Sequence, residues 1–567
     1  MILKTLVLMV GAVPALAQGN AGPYQCVVHA SDPAHLRSEG FTELIGDIVL
    51  SCAGGSPTAV GQPIPQANIT VFLNSNITSR ILSNTGSEAL LLLDEPGTPA
   101  NPLQQLCGSL NGCAVTGNGG IGEPFSGTDA NHSNIFQGMV SGNSVTFFGV
   151  PIDPPGATRI RNYRIVNIRT DATSVSLTNF GQVTAYIASS PSATSLPLDK
   201  SQVLVGFVSS GLSYGGGIFT IPGCTGIDDT NRFTVVSFSE PPLFTTSFKP
   251  RTPAGPIVTS LQNTPGLVSR NSESGFGFAG LPAAGLADAG TRFRVSWQNI
   301  PAGVSLWVSP SNFGASPKSM AVLIPSETGA FSPIAGSTTM LGIDVIQVPV
   351  NNGVATAIWE VTASDPFAID SFTFGVILNT ATSGPLDVNI APMTARGSFA
   401  PAPPAFSLAN AATAQAFPIP VPRFADTSLP ANMLTVTPCV TNILFPFITA
   451  QSGFDTGLAI SNTSKDPFGT TPQTGPCTLN FYGPNPPQPF ITQAIAGGST
   501  YTTVMSNVAP SFQGYVIAVC KFQFAHGLAF ITDFGANKVA ESYLGLILGN
   551  APIRRVTQGG PSEVLSK

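Results

Sequence analysis

Charge is what this sequence holds least of. Only 9% of its 567 residues are Asp, Glu, Lys or Arg, against about 25% in an ordinary soluble domain. With 23 Lys plus Arg and a net charge of −6, it lacks the basic surface that neutralises phosphates, which excludes nucleic acid as a partner. Disorder is excluded by the same scarcity, because disordered chains carry excess charge and few apolar residues, whereas 43% of this chain is hydrophobic. Long segments with apolar residues at helical spacing and caps at both ends are also missing. After the first residues, no apolar run approaches the roughly 20 residues of a membrane span. The nearest, Tyr543 to Leu548, stops at six.

Glycine (59) and proline (51) replace the missing charge. Between them lie short β-branched and aromatic runs, the signature of strands bounded by turns. Examples are Asp47 to Cys52, Asn68 to Leu73, Ala89 to Leu93, Ser144 to Val150, Val203 to Val208, Phe233 to Phe238 and Thr291 to Trp297. In the last, Phe293, Val295 and Trp297 alternate with Arg292, Arg294 and Ser296, the period of two expected of a half-buried strand. The predicted fold is all-β, a series of antiparallel immunoglobulin-like β-sandwiches with little helix.

Composition divides the chain. Residues 1–17, with Lys4, an apolar run and Ala15-Leu16-Ala17, fit a secretory signal peptide. An N-terminal sandwich is expected over 18–211 and a middle sandwich with long loops over 212–400. The Ala/Pro-rich stretch 401–423 reads as a stiff extended linker. A C-terminal immunoglobulin-like sandwich at 424–550 and a polar tail at 551–567 complete the chain. Eight cysteines in an exported protein point to disulfides. Proximity favours Cys26–Cys52 and Cys107–Cys113, and Cys477–Cys520 fits within the last domain. Cys224 and Cys439 are left as a long-range pair or two free thiols. No C-x-x-C spacing exists to support a metal site.

Three stretches carry a resemblance. Phe445 to Gly469 (FPFITAQSGFDTGLAISNTSKDPFG), Cys477 to Gly483 (CTLNFYG) and Phe512 to Asp533 (FQGYVIAVCKFQFAHGLAFITD) resemble a C-terminal module of uncharacterised secreted bacterial proteins. Glu39 to Leu82 and Val145 to Arg169 are similar to the N-terminal part of those proteins. The resemblance implies a β-sandwich module and an exported envelope or matrix protein. It implies no activity and transfers no site.

Candidate chemistry is sparse. Gly211-Leu212-Ser213-Tyr214-Gly215 matches the G-x-S-x-G nucleophile elbow, but Gly216-Gly217-Ile218-Phe219 is a poor helix start and only His526 lies downstream. His29, His35 and His132 have no metal-binding spacing, and Asp228-Asp229 lacks the alternation of a calcium loop. Arg159, Arg161, Arg164 and Arg169 crowd one apparent strand. They are candidates for a surface that binds anionic polysaccharide, or else for a solvated strand face. Trp297, Trp307 and Trp359 offer rings for sugars, or for a core. No catalytic, cofactor or metal residue is assigned. The expected function is non-enzymatic: a secreted envelope or extracellular-matrix protein in adhesion or structural assembly. Its partners would be polysaccharide, other envelope proteins or further copies of the chain. The alternatives are an extracellular carbohydrate-binding protein and, behind it, a secreted hydrolase.

Overall fold

The computed structural model describes residues 22–83, 85–117, 125–177, 181–191, 195–224, 226–242, 244–252, 262–380 and 391–549. The leader at 1–17 and the tail at 551–567 lie outside the described residues. The chain is all-β, with sheets packed around three large apolar cores.

The N-terminal block is built on an eleven-stranded sheet rolled around one large core, with Glu43–Leu44 and Arg169–Thr170 paired separately. Its edge strand Gln25–Ala30 curls back to the chain ahead of Gln202–Ser209, where the Cys26 N–H donates to Pro197 O and the Asp199 N–H to Cys26 O, each at 2.9 Å. Gly86–Leu93 runs through the middle of this sheet and is buried along its whole length. Ala89, Leu91 and Leu93 face the main core. Leu90 and Leu92 face a second core completed by Phe276, Phe278 and Ala284 from the middle block. The continuous leucine run is therefore a strand covered on both faces, as such runs are.

In the middle block a six-stranded sheet, including Phe233–Ser239, Val304–Val308 and Ser371–Thr380, packs on a five-stranded sheet that includes Arg292–Gln298, Ala355–Ala363 and Thr394–Ala400. Phe238 stacks on Phe293 at 4.5 Å and Trp359 on Phe374 at 4.3 Å between the sheets. Trp297 and Trp359 are core residues, their N–H groups donating to Met433 Sδ and Ser309 O. Trp307 is half-buried and donates to Ser305 Oγ.

The stretch 401–423 is not an extended linker. Ala402, Phe406, Ala411, Val421 and Arg423 are buried. Its backbone bonds to the N-terminal block, with Ile81 N–H donating to Gln415 O and Phe41 N–H to Arg423 O, both at 2.9 Å. Phe406 meets Phe41 edge-on, and Phe417 lies under the Arg80 guanidinium. Alanine and proline suggested stiffness, but Phe406, Phe417 and Arg423 anchor the stretch. The middle sandwich also continues past 424: Phe424, Met433 and Leu434 belong to its core, and Leu434–Thr437 pairs in parallel with Phe219–Pro222.

The C-terminal sandwich therefore begins with Thr441–Thr449. That strand, Cys477–Tyr482, Gln513–Cys520 and two short edge strands form one sheet. Thr500–Val504, Asp455–Asn462, Ala525–Thr532 and Ala540–Leu544 form the other. At Gly545 the chain crosses from the second sheet to the first, where it becomes Leu546–Leu548. A Cβ there would come within 2.5 Å of the Ile443 side chain, so only glycine fits the crossing.

All four disulfides form: Cys26–Cys52, Cys107–Cys113, Cys224–Cys439 and Cys477–Cys520. The first and last join directly opposed residues of paired strands.

Candidate functional site

The expected arginine surface is not a surface. Arg161, Arg164 and Arg169 are 0–2% exposed, because Gly156–Val166 is covered on both faces from Arg161 onward, as is the chain after it. Arg161 pairs with Asp94, and Arg164 with Asp47 at 2.7 Å and Glu95 at 3.1 Å. Arg169 pairs with Glu88 at 3.1 Å. Of the four arginines, Arg159 alone is exposed. Neither a polysaccharide stripe nor a solvated face remains.

The Arg161 pair stays within the N-terminal block, whereas the Arg164 and Arg169 pairs belong to a buried network along the seam between the N-terminal and middle blocks. Arg37 lies at its centre. Its Nε donates to Glu43 at 3.0 Å, and its two terminal nitrogens reach Glu273 at 2.7 and 2.9 Å. Ser247 O and Thr291 Oγ1 accept further bonds at 3.0 and 3.2 Å, and the Phe424 ring lies 4.7 Å from the guanidinium carbon. Burial works against the charge of Arg37, but Glu273 and Glu43 outweigh it and raise its pKa. Burial alone would raise the Glu273 carboxyl; Arg37 and Lys249 beside it hold it below its ordinary value. Arg80–Asp288 ties the blocks a second time, and Arg169 reaches across to Glu273 O at 2.8 Å. In the middle block Arg292 pairs with Glu360, and Arg294 with Glu327 and Asp426. Charge is scarce in this protein, and much of it is inside. Sequence carried a trace of this: Glu43, Asp47 and Glu88 sit within or beside apolar strand runs, where a solvated charge has no place.

At the rim of the seam lies a cleft of about 320 Å³. The N-terminal block supplies Asp32 and His35; the middle block supplies Thr245, Thr246, Ser269, Arg270 and Phe367. Arg270 pairs with Asp32 across the seam. His35 packs edge-on against Phe244 at 5.3 Å and Phe207 at 6.2 Å, and partial burial lowers its pKa. Phe367 is 79% exposed on a loop braced by Thr245 Oγ1 donating to Pro366 O at 2.9 Å and Asp365 N–H donating to Asp370 at 2.8 Å.

Glu240 stands behind this loop. It accepts N–H bonds from Ser247, Phe248 and Asp370 at 2.8–2.9 Å. Burial nonetheless pushes its carboxyl up from 4.5 to about 7, with the Asp370 charge acting in the same direction. A folded-state pKa above the unfolded one means the folded chain holds the proton more tightly. That stabilisation is present below the unfolded pKa and is lost as pH rises to about 7. Glu240→Gln stays neutral throughout, so its stability relative to wild type should improve by about 1 kcal/mol or more between about pH 5 and about pH 8. Chemical denaturation at the two pH values measures this, and a pH-independent difference refutes it.

The remaining sequence candidates are dispersed. Ser213 begins the edge strand Ser213–Gly216 and pairs in register with Ser239, while His526 lies opposite Ser461 in the C-terminal sheet; the structure does not join them. Asp228 accepts from Thr230 N–H and Oγ1 within a turn, and Asp229 pairs with Arg232. His132 bonds to Asp129, and His29 lies on Gln25–Ala30. Among the described residues no set of three or more His, Cys, Asp or Glu is arranged to hold a metal ion, and no helix is long and apolar enough to cross a membrane.

A second exposed feature belongs to the C-terminal sandwich. Tyr482 and Tyr515 are opposed in register and stack at 4.9 Å with 12° between their planes. A bulge places Pro446 and Phe447 opposite Tyr515, and both are exposed. The outward strand residues Thr478, Asn480, Ile517 and Val519 carry no charge.

No protein-family model matches the chain, and no curated protein matches it in sequence. Among solved structures, the C-terminal domain of the Streptococcus agalactiae AgI/II polypeptide BspA is similar over 66% of this chain and 95% of that one, at 6% identity and a TM-score of 0.25. A putative membrane anchored protein from Corynebacterium diphtheriae aligns over 92% of this chain and 88% of that one, at 9% identity and a TM-score of 0.16. Likeness at this level carries no argument about function. The fold class rests on the sheets themselves.

Proposed function

We propose that the protein is a non-enzymatic component of the bacterial envelope or extracellular matrix, acting in adhesion or structural assembly. The observation that carries this reading is the uncharged aromatic face of the C-terminal sandwich, with Tyr482 and Tyr515 stacked in the open. Aromatic rings are enriched where proteins bind one another, and an exposed cluster of them marks a contact surface. Four disulfides favour an oxidising compartment outside the cytosol. The resemblance read in the sequence at 445–469, 477–483 and 512–533 supports the same reading. Buried ion pairs that weld the first two blocks suit a rigid carrier for that module.

Retention on cells tests the proposal. Tyr482→Ser with Tyr515→Ser should move most of the exported chain from the cell-bound fraction to the medium, while the Cys477–Cys520 disulfide stays formed. An unchanged distribution of a correctly folded variant refutes it.

A further inference from the structure

We propose that the cleft between the N-terminal and middle blocks is a binding site for a neutral oligosaccharide. This goes beyond the adhesive role of the C-terminal face and does not depend on it. The cleft has the size of a small-ligand pocket and lies at a junction between blocks, where such pockets concentrate.

Its chemistry selects the ligand class. The opposite charges of Asp32 and Arg270 lie together, and His35 beside them packs edge-on against Phe244. The lining therefore offers no net charge to a phosphate or a carboxylate, and a neutral ligand is its complement. Hydrogen-bonding capacity is nonetheless dense. An ionised carboxylate accepts at two oxygens, a guanidinium presents five N–H donors in a plane, and a neutral imidazole supplies one donor and one acceptor. Thr246 and Ser269 add hydroxyls. A sugar, whose hydroxyls each donate and accept, can satisfy such a mixed set.

Phe367 supplies what distinguishes a sugar from other neutral polar ligands. A pyranose ring has an apolar C–H face with its hydroxyls projecting at the rim, and an exposed aromatic ring with an electron-rich face is its natural platform. Phe367 has no packing reason to be 79% exposed. Its N–H donates to Asp365 at 3.1 Å, so the loop that presents it is ordered. The opposite wall is equally fixed: the Gly266 N–H donates to Asp47 at 3.1 Å, and Asp47 also holds buried Arg164. Rigid walls lower the entropy cost of binding.

Calorimetry and a direct binding assay on the full chain, using cellohexaose, laminarihexaose, maltohexaose and mannohexaose, decide the matter, with a hexamer of galacturonate as the anionic control. At least one neutral hexasaccharide should bind. Phe367→Ala, which removes the platform, and Thr246→Trp, which fills the cleft, should each weaken it at least tenfold while thermal unfolding is unchanged. Binding of none of the neutral probes, tighter binding of galacturonate, or binding unaffected by both variants overturns the proposal. Cell retention through Tyr482 and Tyr515 is a separate readout, so either proposal can fail alone.

Discussion

Arg37→Ala is expected to destabilise the protein by about 3–5 kcal/mol, the cost of breaking a buried ion pair from one side. The size follows from what is left behind. Glu43 and Glu273 are almost fully buried and both bond to the guanidinium, so the variant retains two carboxylates with no cation between them. The loss is a large part of a typical domain stability of about 5–15 kcal/mol. Arg37→Lys keeps a charge but lacks the planar fork that serves both carboxylates, and it should fall between the two. The defect of the alanine variant should ease as pH is lowered, because an uncompensated buried carboxylate escapes its penalty by taking a proton. Denaturant unfolding at two pH values reads all of this. Replacing Arg37, Glu43, Glu273 and Lys249 together by Met, Leu, Leu and Met should cost less than Arg37→Ala alone, since no orphaned charge of this cluster remains. A single substitution costing under about 1 kcal/mol would mean that the seam is held by its apolar contacts and not by this network.

Strands were legible because their signal is local. The run expected at Ser144 to Val150 appears as Ser144–Pro151, and the run predicted at Thr291 to Trp297 appears as Arg292–Gln298. Phe293, Val295 and Trp297 do share the core face. The opposite face was misread: Arg292 and Arg294 look solvent-bound by periodicity, yet both are buried against Glu360, Glu327 and Asp426. Periodicity assigns residues to faces but cannot say what covers a face. In the same way, Arg37 and Glu273 are 236 positions apart, and nothing local connects them. The cleft is a further step removed, since it is built from Asp32 and His35 on one block and Arg270 and Phe367 on the other. The Ala/Pro stretch failed for a different reason: composition described its backbone stiffness, while its position is set by Phe406, Phe417 and Arg423.

Removing the Cys224–Cys439 bridge by Cys224→Ser with Cys439→Ser should cost about 2–5 kcal/mol, the largest loss of any of the four bridges. It closes a loop of 215 residues, against 6, 26 and 43 for the others, and the entropy withheld from the unfolded chain grows with the logarithm of that length. Its place in the fold adds to the effect. Cys224 follows Phe219–Pro222 and Cys439 follows Leu434–Thr437, and these segments form a two-stranded parallel ladder. Gly223 N–H donates to Thr437 O at 2.9 Å just before the bridge. With the bridge gone, this ladder should fray first, and the C-terminal sandwich that begins at Thr441 loses its fixed exit from the middle block. Access sets the order in which the bridges open, because a thiolate must reach a sulfur to reduce it. Cys26, Cys52, Cys477 and Cys520 are fully buried, whereas Cys224 and Cys439 are half-buried. Mild reductant under native conditions, followed by alkylation and mass spectrometry, should label Cys224 and Cys439 well before those four. Labelling of Cys26 or Cys520 first would place the weak point inside a sandwich and overturn this account of the joint.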